Sequence, residues 1–498
     1  MKPKALLGFD IGSSSIKASL LNADTGLVIS SGSSPEVEMA IDAPQRGWAE
    51  QNPALWWQHL ITATNKIFSA ISSGAYEVAG IGISYQMHGL VIVDKDQQVL
   101  HPSIIWCDSR AVEIGNKAAA ALGVEFCLKN YLNTPGNFTA SKLRWVKEHR
   151  PEIYERIDRI MLPGDYIAMM LTGEIRTTIS GLSEGIFWDF EKQSTADALL
   201  THYGIEKKLL ADVVPTFGHQ GLLTAQAASA LGLAPGIPVA YRAGDQPNNA
   251  FSLNVLQPGE AATTAGTSGV IYGVTDTNLY DLKGRVNTFA HVNYTSAHPN
   301  LGVLLCINGT GIQYSWLKRN LLDNKYSYEE MNELAAAAPV GSDGLICFPY
   351  GNGAERSLES KDVHGHFSGI SFNLHDKRHL VRAAQEGIVF TFRYGLDVMR
   401  EMGMHFEEVK VGHANLFLSR VFRETFVNTC NVGLEMFNTD GSQGAARGAG
   451  VGIGHYSSEK EAFSNLKRIE RLEPRKKLSE EYEGAYQRWK EGLERLLR

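Results

Sequence analysis

Residues 6–17 have the sequence LLGFDIGSSSIK, which predicts a β-hairpin. Apolar residues on both sides are typical of buried strands, and a glycine followed by three serines is typical of a tight turn. Further along, Asn52 and Pro53 predict a helix start, because apolar residues follow them at helical spacing. Residues 78–84 then predict a buried strand. Strands that alternate with long helices indicate an α/β fold.

A second stretch in the middle of the chain has the same pattern as the first. Residues 266–269 (GTSG) lie between two apolar runs, as residues 12–15 (GSSS) do near the start. A strand–turn–strand unit that occurs twice predicts two related domains. We place their boundary at the loop that ends near Asn249, with residues 1–249 forming the N-terminal domain and residues 250–498 the C-terminal domain. A cleft between two domains is a common place for substrates to bind.

The composition excludes several classes of partner. The 498 residues carry a formal net charge of −7, with 44% hydrophobic and 20% charged residues, as expected of a globular protein. The sequence lacks the dense positive charge that nucleic acid or an anionic membrane requires. It also lacks an apolar stretch typical of a signal peptide or a membrane span, and its five cysteines have no paired spacing. We therefore expect a cytoplasmic protein with reduced cysteines and no nucleic-acid or membrane partner.

The segment after Tyr456 is highly charged but has a regular apolar pattern. The apolar residues that recur there at helical spacing are Tyr482, Tyr486, Trp489, Leu493 and Leu496. This pattern predicts an amphipathic helix that packs on the C-terminal domain. A helix on a membrane surface is the weaker alternative, because the polar face carries charges of both signs.

The first turn has the residue types of a phosphate site. Small residues allow backbone amides to approach a phosphate, and the hydroxyls of Ser13, Ser14 and Ser15 add donors. Lys17 adds a positive charge, and Asp10 at the strand end has the ligand type that Mg²⁺ prefers. The alternative is an ordinary hairpin turn.

A polar run follows the apolar residues that end at Ala240, and it contains Asp245 and Gln246. Polar groups at a strand end often line a cleft. Asp245 is our candidate for the base that accepts the proton of a hydroxyl as this attacks a γ-phosphoryl group. The alternative is an aspartate that only caps a following helix.

Two further stretches offer groups for a polyol and for a nucleotide base. Residues 86–89 (QMHG) follow the strand at 78–84, and Trp106 lies in a later polar stretch. Both suit a sugar pocket, although a lone histidine and a tryptophan are more often structural. Residues 409–415, with the small residues 444–450, are candidates for a slot that holds an adenine ring. Close helix packing is an equally good interpretation of the second of these stretches.

Taken in this order, the motifs resemble those of the FGGY carbohydrate kinases, and most closely those members that phosphorylate xylulose. The resemblance covers residues 6–452. Its most specific parts are GFDIGSSSIK at 8–17, QMHG at 86–89, IWCDSR at 105–110, GDQ at 244–246 and AGTSGV at 265–270, and residues 351–356 and 386–388 add support.

The resemblance implies two actin-like, ribonuclease-H-like domains that close on ATP and a sugar. It implies that Asp245 is the general base, that Met87, His88, Trp106 and Gln246 lie at the sugar, and that Asp10 serves the Mg²⁺ site. Residues facing the nucleotide would be Ser13, Ser14, Ser15, Lys17, Gly266, Thr267, Gly309, Gln313, Gly412 and Asn415. A homodimer is a candidate assembly.

The function that the resemblance implies is ATP-dependent phosphorylation of a small ketose, with D-xylulose first. Cys107, Ser109 and Gln246 stand where xylulose-phosphorylating members usually carry asparagine, glycine and asparagine. Ribulose, another ketose or a polyol is therefore the alternative substrate. A non-catalytic nucleotide switch or a filament protein is the alternative of a different class, since the actin-like fold also hosts proteins that are not kinases.

Overall fold

The computed structural model describes residues 2–72 and 74–498. In the first half of the chain the strands are β1 (Lys4–Ile11), β2 (Ile16–Asn22), β3 (Val28–Ser34), β4 (Glu50–Gln51), β5 (Glu77–Tyr85), β6 (Val91–Val93), β7 (Ser103–Ile104), β8 (Arg159–Met161), β9 (Arg176–Thr177), β10 (Trp188–Asp189), β11 (Ser194–Thr195), β12 (Asp212–Val213) and β13 (Val239–Gly244). The helices there are α1 (Pro53–Ser69), α2 (Val112–Leu122), α3 (Val124–Tyr131), α4 (Thr139–His149), α5 (Pro151–Tyr154), α6 (Pro163–Thr172), α7 (Ile179–Glu184), α8 (Asp197–Tyr203), α9 (Ala225–Leu231) and α10 (Asp245–Ser252).

In the second half the strands are β14 (Ala261–Ala265), β15 (Gly269–Thr275), β16 (Asn287–Ala290), β17 (Leu301–Ile307), β18 (Ile346–Tyr350), β19 (His364–Ser368), β20 (Glu408–Gly412), β21 (Gly433–Phe437) and β22 (Arg468–Leu472). The helices there are α11 (Gly311–Trp316), α12 (Tyr328–Ala336), α13 (Lys377–Glu401), α14 (Arg420–Cys430), α15 (Gly441–Gly452) and α16 (Lys476–Leu497). Shorter helical turns lie at Lys207–Leu209, Leu317–Leu321, Ser342–Gly344, Arg356–Leu358, Asn415–Leu418 and Glu461–Phe463.

Each half of the chain contains one large sheet, and the two sheets share a core topology. The first has the order β13-β5-β1-β2-β3, and the second contains the run β21-β20-β14-β15-β17. In both, the first strand of the hairpin pairs antiparallel with the second and parallel with a later strand. The second sheet adds β16 at one edge and β22 at the other. This repeat confirms the duplicated strand–turn–strand unit that the sequence predicts.

The local predictions agree with the structure because the signals are contained in short stretches of chain. Asn52 caps α1, accepting a hydrogen bond from the Ala54 amide at 3.0 Å. The helix buries Trp56 and Leu60 against the first sheet. Strand β5 covers the predicted residues 78–84. Strand β1 is buried along almost its whole length, as expected of a strand covered on both faces.

Helix α15 packs across the first sheet, although it belongs to the second half of the chain by sequence. Two glycines make this close approach possible. A Cβ atom on Gly8 would lie 2.0 Å from the Ser442 carbonyl oxygen, and one on Gly82 would lie 1.9 Å from that of Ala445. The small residues 444–450 are therefore used for helix packing, as the alternative interpretation of this stretch expects, and its role as an adenine slot stays a prediction.

Helix α10 shows where the sequence interpretation needs correction. We expected a loop near residues 244–249, but Asp245 is already the first residue of a helix that ends at Ser252. An acidic residue in the first turn favours a helix start, and Pro247 lies early enough to need no amide partner within the helix. Helix α10 contacts α15 and also β14 and β15 of the second sheet. The proposed domain boundary at Asn249 lies within this helix and stays a prediction.

The predicted C-terminal amphipathic helix is confirmed as α16, which begins at Lys476. Its buried face carries Tyr482, Tyr486, Trp489 and Leu493. The indole nitrogen of Trp489 donates to the Cys347 carbonyl at 3.0 Å, so the helix is fixed to β18. Leu496 is partly exposed.

The described part of the chain shows neither a membrane-spanning helix nor a disulfide bond. No helix in residues 2–72 or 74–498 combines the length and apolar character that crossing a membrane requires. The five cysteines are all free thiols, of which Cys107 is exposed.

Candidate active site

Asp245 lies where the last strand of the first sheet meets α10. The preceding residue, Gly244, ends β13, and a Cβ atom on it would lie 2.6 Å from Met87 Cγ and 2.5 Å from Glu184 Oε2. A glycine is therefore required here for close contact between β13, the loop after β5 and the end of α7. This packing places Asp245, which is half-buried, beside the predicted sugar residue Met87.

The environment of Asp245 suits a proton acceptor. Burial and, to a smaller extent, the negative charge of Asp10 raise the pKa of its carboxyl to about 7, against the lowering effect of hydrogen bonds from Gln246. A base works best when its pKa lies near the working pH. Gln246, which follows Asp245 in α10, is a hydrogen-bond partner of this carboxylate.

The first phosphate turn joins β1 to β2 beside Asp10. The Gly12 amide donates to the Ser15 carbonyl at 3.1 Å, which closes the turn. Ser14 is exposed, whereas Ser13 and Ser15 are half-buried. Lys17 lies opposite Asp10 in the hairpin register and is exposed. The hydroxyls and the cation are thus accessible to a phosphate, as the sequence predicts.

Asp10 has the chemistry of a magnesium ligand. Its Oδ1 accepts a hydrogen bond from the Ser84 hydroxyl at 2.8 Å, and burial raises the pKa of its carboxyl. Mg²⁺ is usually held by one or two carboxylates, water and substrate phosphates. Asp10 is such a carboxylate, and a cation beside it would offset its repulsion with Asp245. Among the described residues there is no group of three or more histidine, cysteine or acidic side chains arranged to hold a metal without such help.

The predicted sugar residues lie on the segments that follow β5 and β7. Met87 is buried, and the His88 backbone has a left-handed φ of 62°. The His88 Nδ1 atom lies 2.9 Å from the Glu184 carbonyl oxygen, which can only accept, so Nδ1 carries the proton. Burial lowers the pKa of His88 to about 3, so the ring is neutral and Nε2 is a hydrogen-bond acceptor.

Trp106 connects the predicted sugar wall with the first phosphate turn. Its side chain is 51% exposed, so it is not a core residue. The indole nitrogen donates to the Ser13 hydroxyl at 3.3 Å. The structure therefore brings Trp106, Ser13 and the Asp10 hairpin to one side of the site.

The second turn and the start of α11 form the predicted nucleotide side. The Gly311 amide and the Thr310 hydroxyl donate to the Gly266 carbonyl at 2.8 and 3.0 Å. The Ile312 amide donates to the Thr267 carbonyl at 3.1 Å. A Cβ atom on Gly266 would lie 3.4 Å from Asn415 Nδ2, so this asparagine lies directly against the turn.

Gly309 and Gln313 also border a cavity of about 430 Å³ between α11 and the β18–β19 hairpin. Apolar and basic side chains line its other walls, among them Trp316, Arg319 and Phe367. Gly412 ends β20, three residues before Asn415. The predicted nucleotide residues of the second half therefore occupy neighbouring positions around the turn at 266–269.

Sequence reasoning missed two buried charged residues near the sugar segments. Lys142 lies on the apolar face of α4, and Glu184 ends α7. Burial raises the pKa of Glu184 well above its ordinary value, and the nearby charges of Asp245 and Asp165 act in the same direction. The sequence does show a lysine among the apolar helix positions at Lys142, whereas no local pattern marks Glu184.

Comparisons with known proteins identify the family. A model of the N-terminal domain of the FGGY family of carbohydrate kinases matches residues 5–252, and a model of its C-terminal domain matches residues 261–451. The chain belongs to the FGGY family of carbohydrate kinases. It is therefore a phosphotransferase that acts on a carbohydrate with ATP as donor, and the resemblance that the sequence motifs carry is confirmed.

Relatives of this FGGY kinase are similar over most of their length. A xylulose kinase of Lactococcus lactis is 28% identical, covering 98% of this chain and 96% of the relative. A xylulose kinase of Bacillus subtilis is 29% identical, covering 80% and 78%. The crystal structure of xylulose kinase from Rhodospirillum rubrum is 25% identical, covers 99% of both chains and has a TM-score of 0.88. The predicted two-domain, actin-like α/β fold is thus confirmed.

Proposed function

We propose that the protein transfers the γ-phosphoryl group of ATP to the terminal hydroxyl of D-xylulose, giving ADP and D-xylulose 5-phosphate. The observation that carries the proposal is the position of Asp245. This residue follows Gly244, which packs against Met87, and its carboxyl, with a pKa of about 7, is close enough to Asp10 for the two negative charges to interact. The xylulose kinases of Lactococcus lactis and Bacillus subtilis, which match 98% and 80% of this chain, support the choice of sugar.

In the proposed reaction the terminal hydroxyl oxygen of the sugar forms a bond to the γ-phosphorus. The bond from this phosphorus to the oxygen that bridges it to the β-phosphate breaks, and ADP leaves. Asp245 accepts the hydroxyl proton. Mg²⁺ bound at Asp10 would neutralise charge on the phosphates.

The remaining residues take supporting roles in this proposal. Met87, His88, Trp106 and Gln246 lie at the sugar, with His88 Nε2 as an acceptor for a sugar hydroxyl. The nucleotide is contacted by Ser13, Ser14, Ser15, Lys17, Gly266, Thr267, Gly309, Gln313, Gly412 and Asn415. A cytoplasmic location and a homodimeric assembly complete the proposal.

A panel of sugars tests the substrate. Purified protein is incubated with ATP, Mg²⁺ and D-xylulose, D-ribulose, L-ribulose, D-fructose, glycerol or xylitol, and ADP release is measured by a coupled assay. We expect the highest kcat/KM with D-xylulose. Higher kcat/KM with another acceptor would refute the sugar assignment but not the kinase activity, and chelation of Mg²⁺ should stop turnover with every acceptor.

Another ketose or a polyol is the second candidate substrate, favoured by one observation. Gln246 hydrogen-bonds the base itself, so the residue beside Asp245 has an amide partly occupied by the carboxylate. An amide held by Asp245 has fewer donors left for a sugar hydroxyl. D-ribulose and L-ribulose in the same panel discriminate between the two candidates.

A further inference from the structure

Lys142 is a buried lysine without an acidic partner, and burial lowers the pKa of its ammonium group to about 7. Its side chain is 0% exposed, and among the described residues no carboxylate lies within 4 Å of its ammonium group. Asp108, the nearest acid in the fold, forms an ion pair with Arg110 at 2.7 Å. Burying an unpaired charge is costly, so a lysine here needs compensation from other groups.

Two backbone carbonyls provide that compensation. The Lys142 Nζ atom donates to the His88 carbonyl at 2.9 Å and to the Ile105 carbonyl at 2.9 Å. His88 belongs to the segment after β5, and Ile105 immediately precedes Trp106. One ammonium group therefore connects the two segments that carry the proposed sugar contacts, which are far apart in the sequence.

Residues 137–139, at the start of α4, contact the same two segments at further points. Asn137 donates to the Asp108 carbonyl, and the Phe138 ring packs edge-on against His88 at 4.9 Å between centroids. The Thr139 hydroxyl lies 3.5 Å from the Gly89 carbonyl. These residues therefore pack behind both segments, and the basic residue among their neighbours on α4 is Lys142.

The backbone of His88 explains why a strong donor is needed. A left-handed φ costs free energy in a residue other than glycine, and it persists only where contacts enforce it. Here the carbonyl is held by Lys142 and the ring is held by the Glu184 carbonyl at 2.9 Å. Because the carbonyl and the ring of His88 are both held, its Nε2 atom points in one fixed direction.

We propose that Lys142 is a positioning residue for sugar binding: its ammonium group holds the Met87–His88 turn and the Trp106 segment at a fixed separation. Lys142 acts through these backbone carbonyls and takes no part in phosphoryl transfer. The inference rests on the proposed function, because it expects the loss of Lys142 to weaken binding of the sugar and not of ATP.

The test replaces Lys142 by methionine, which keeps the length of the side chain and removes the donors. The matched control is Lys147→Met, because Lys147 lies on the same helix and also donates to a backbone carbonyl, that of Gly204, which is not part of the predicted site. For each variant, calorimetry measures the dissociation constants of D-xylulose and of a non-hydrolysable ATP analogue, and steady-state assays give both KM values.

For Lys142→Met we expect the dissociation constant and the KM for the sugar to rise about tenfold or more, because two carbonyls lose their donor. The values for nucleotide should stay within about twofold, and Lys147→Met should leave sugar binding unchanged. If Lys142→Met does not fold, Lys142→Arg serves instead: it keeps the charge but cannot place a single nitrogen between both carbonyls, so sugar affinity should fall while nucleotide affinity is retained.

Wild-type sugar affinity in a folded Lys142 variant would overturn the inference, and so would an equal loss for sugar and nucleotide. Failure of the proposed function gives a different result: the wild-type protein itself would neither bind nor phosphorylate any ketose of the panel.

Discussion

At position 245 a carboxylate must be ionised to accept a proton, while burial opposes its ionisation. Because the pKa of Asp245 is raised to about 7, the fraction of active base falls as the pH drops below this value. We therefore predict that kcat/KM for the sugar decreases about tenfold per pH unit below about pH 6. A pH–rate profile measured between pH 5 and 9 checks this, and a flat profile down to pH 5 would contradict the assignment of Asp245 as the base.

Replacement of Asp245 by asparagine separates catalysis from stability. We expect kcat to fall by about 10²–10⁴ with ATP affinity retained, because only the proton acceptor is lost. The folded state favours the protonated form, since the pKa of Asp245 is higher there than in the unfolded chain; stability is lost as the pH rises through about 7. At pH 8 the variant should therefore be more stable by about 1 kcal/mol, as thermal unfolding would show. A variant that keeps its activity would favour the nucleotide-switch alternative.

Glu184 is predicted to act as a neutral side chain. Because burial keeps the pKa of its carboxyl well above the ordinary value, glutamine has nearly the same shape and charge. Glu184→Gln should keep kcat/KM within about twofold, with an unchanged pH profile. A large loss of activity in a stably folded variant would mean that the ionised carboxylate is needed.

At this scale the sequence predicts residues whose role shows in a local motif. Asp245, Met87 and the serines after Asp10 lie in short stretches with recognisable residue types. Lys142 and Glu184 acquire their environment only when α4 and α7 pack against segments that are distant in the sequence. Their burial therefore could not be deduced from neighbours along the chain.

At the scale of elements, the contact of α15 with the first sheet is controlled by glycine. A methyl group on Gly82 would overlap the Ala445 carbonyl, so Gly82→Ala should lower the free energy of unfolding by about 3 kcal/mol or prevent folding. The matched control is Gly484→Ala on the exposed face of α16, where the nearest atom to the new Cβ lies at 3.7 Å. This change should raise the free energy of unfolding by up to about 1 kcal/mol. Chemical denaturation measures both, and equal effects would contradict the packing argument.

The hairpins and the capped helix α1 were predictable because a few adjacent residues determine them. The surface against which α15 packs was not predictable, because small residues permit close packing without specifying where it occurs. The expected loop near residue 245 is a helix for a similar reason. Its few turns gain stability from contacts with α15 and with the second sheet, which no local pattern reveals.

At the scale of the whole molecule, the two halves depend on each other. Helix α15 covers β1, β5 and β13, while α10 contacts β14 and β15. A fragment of residues 1–252 lacks α15 and would expose the groove at Gly8 and Gly82. We predict that this fragment and residues 253–498 do not fold separately, and that co-expression restores a complex with kinase activity. Circular dichroism and cooperative unfolding check the separate fragments; a fragment 1–252 that unfolds cooperatively on its own would contradict the prediction.

The repeated sheet order has a consequence for the origin of the chain. Helices α10 and α15 each follow the last strand of an equivalent five-strand run, and each reaches toward the opposite sheet. In a single ancestral repeat with this arrangement, the groove would be covered only by the helix of a second copy, as in domain-swapped dimers. Fusion of two such copies then makes an intermolecular exchange permanent within one polypeptide, and it leaves each copy free to diverge.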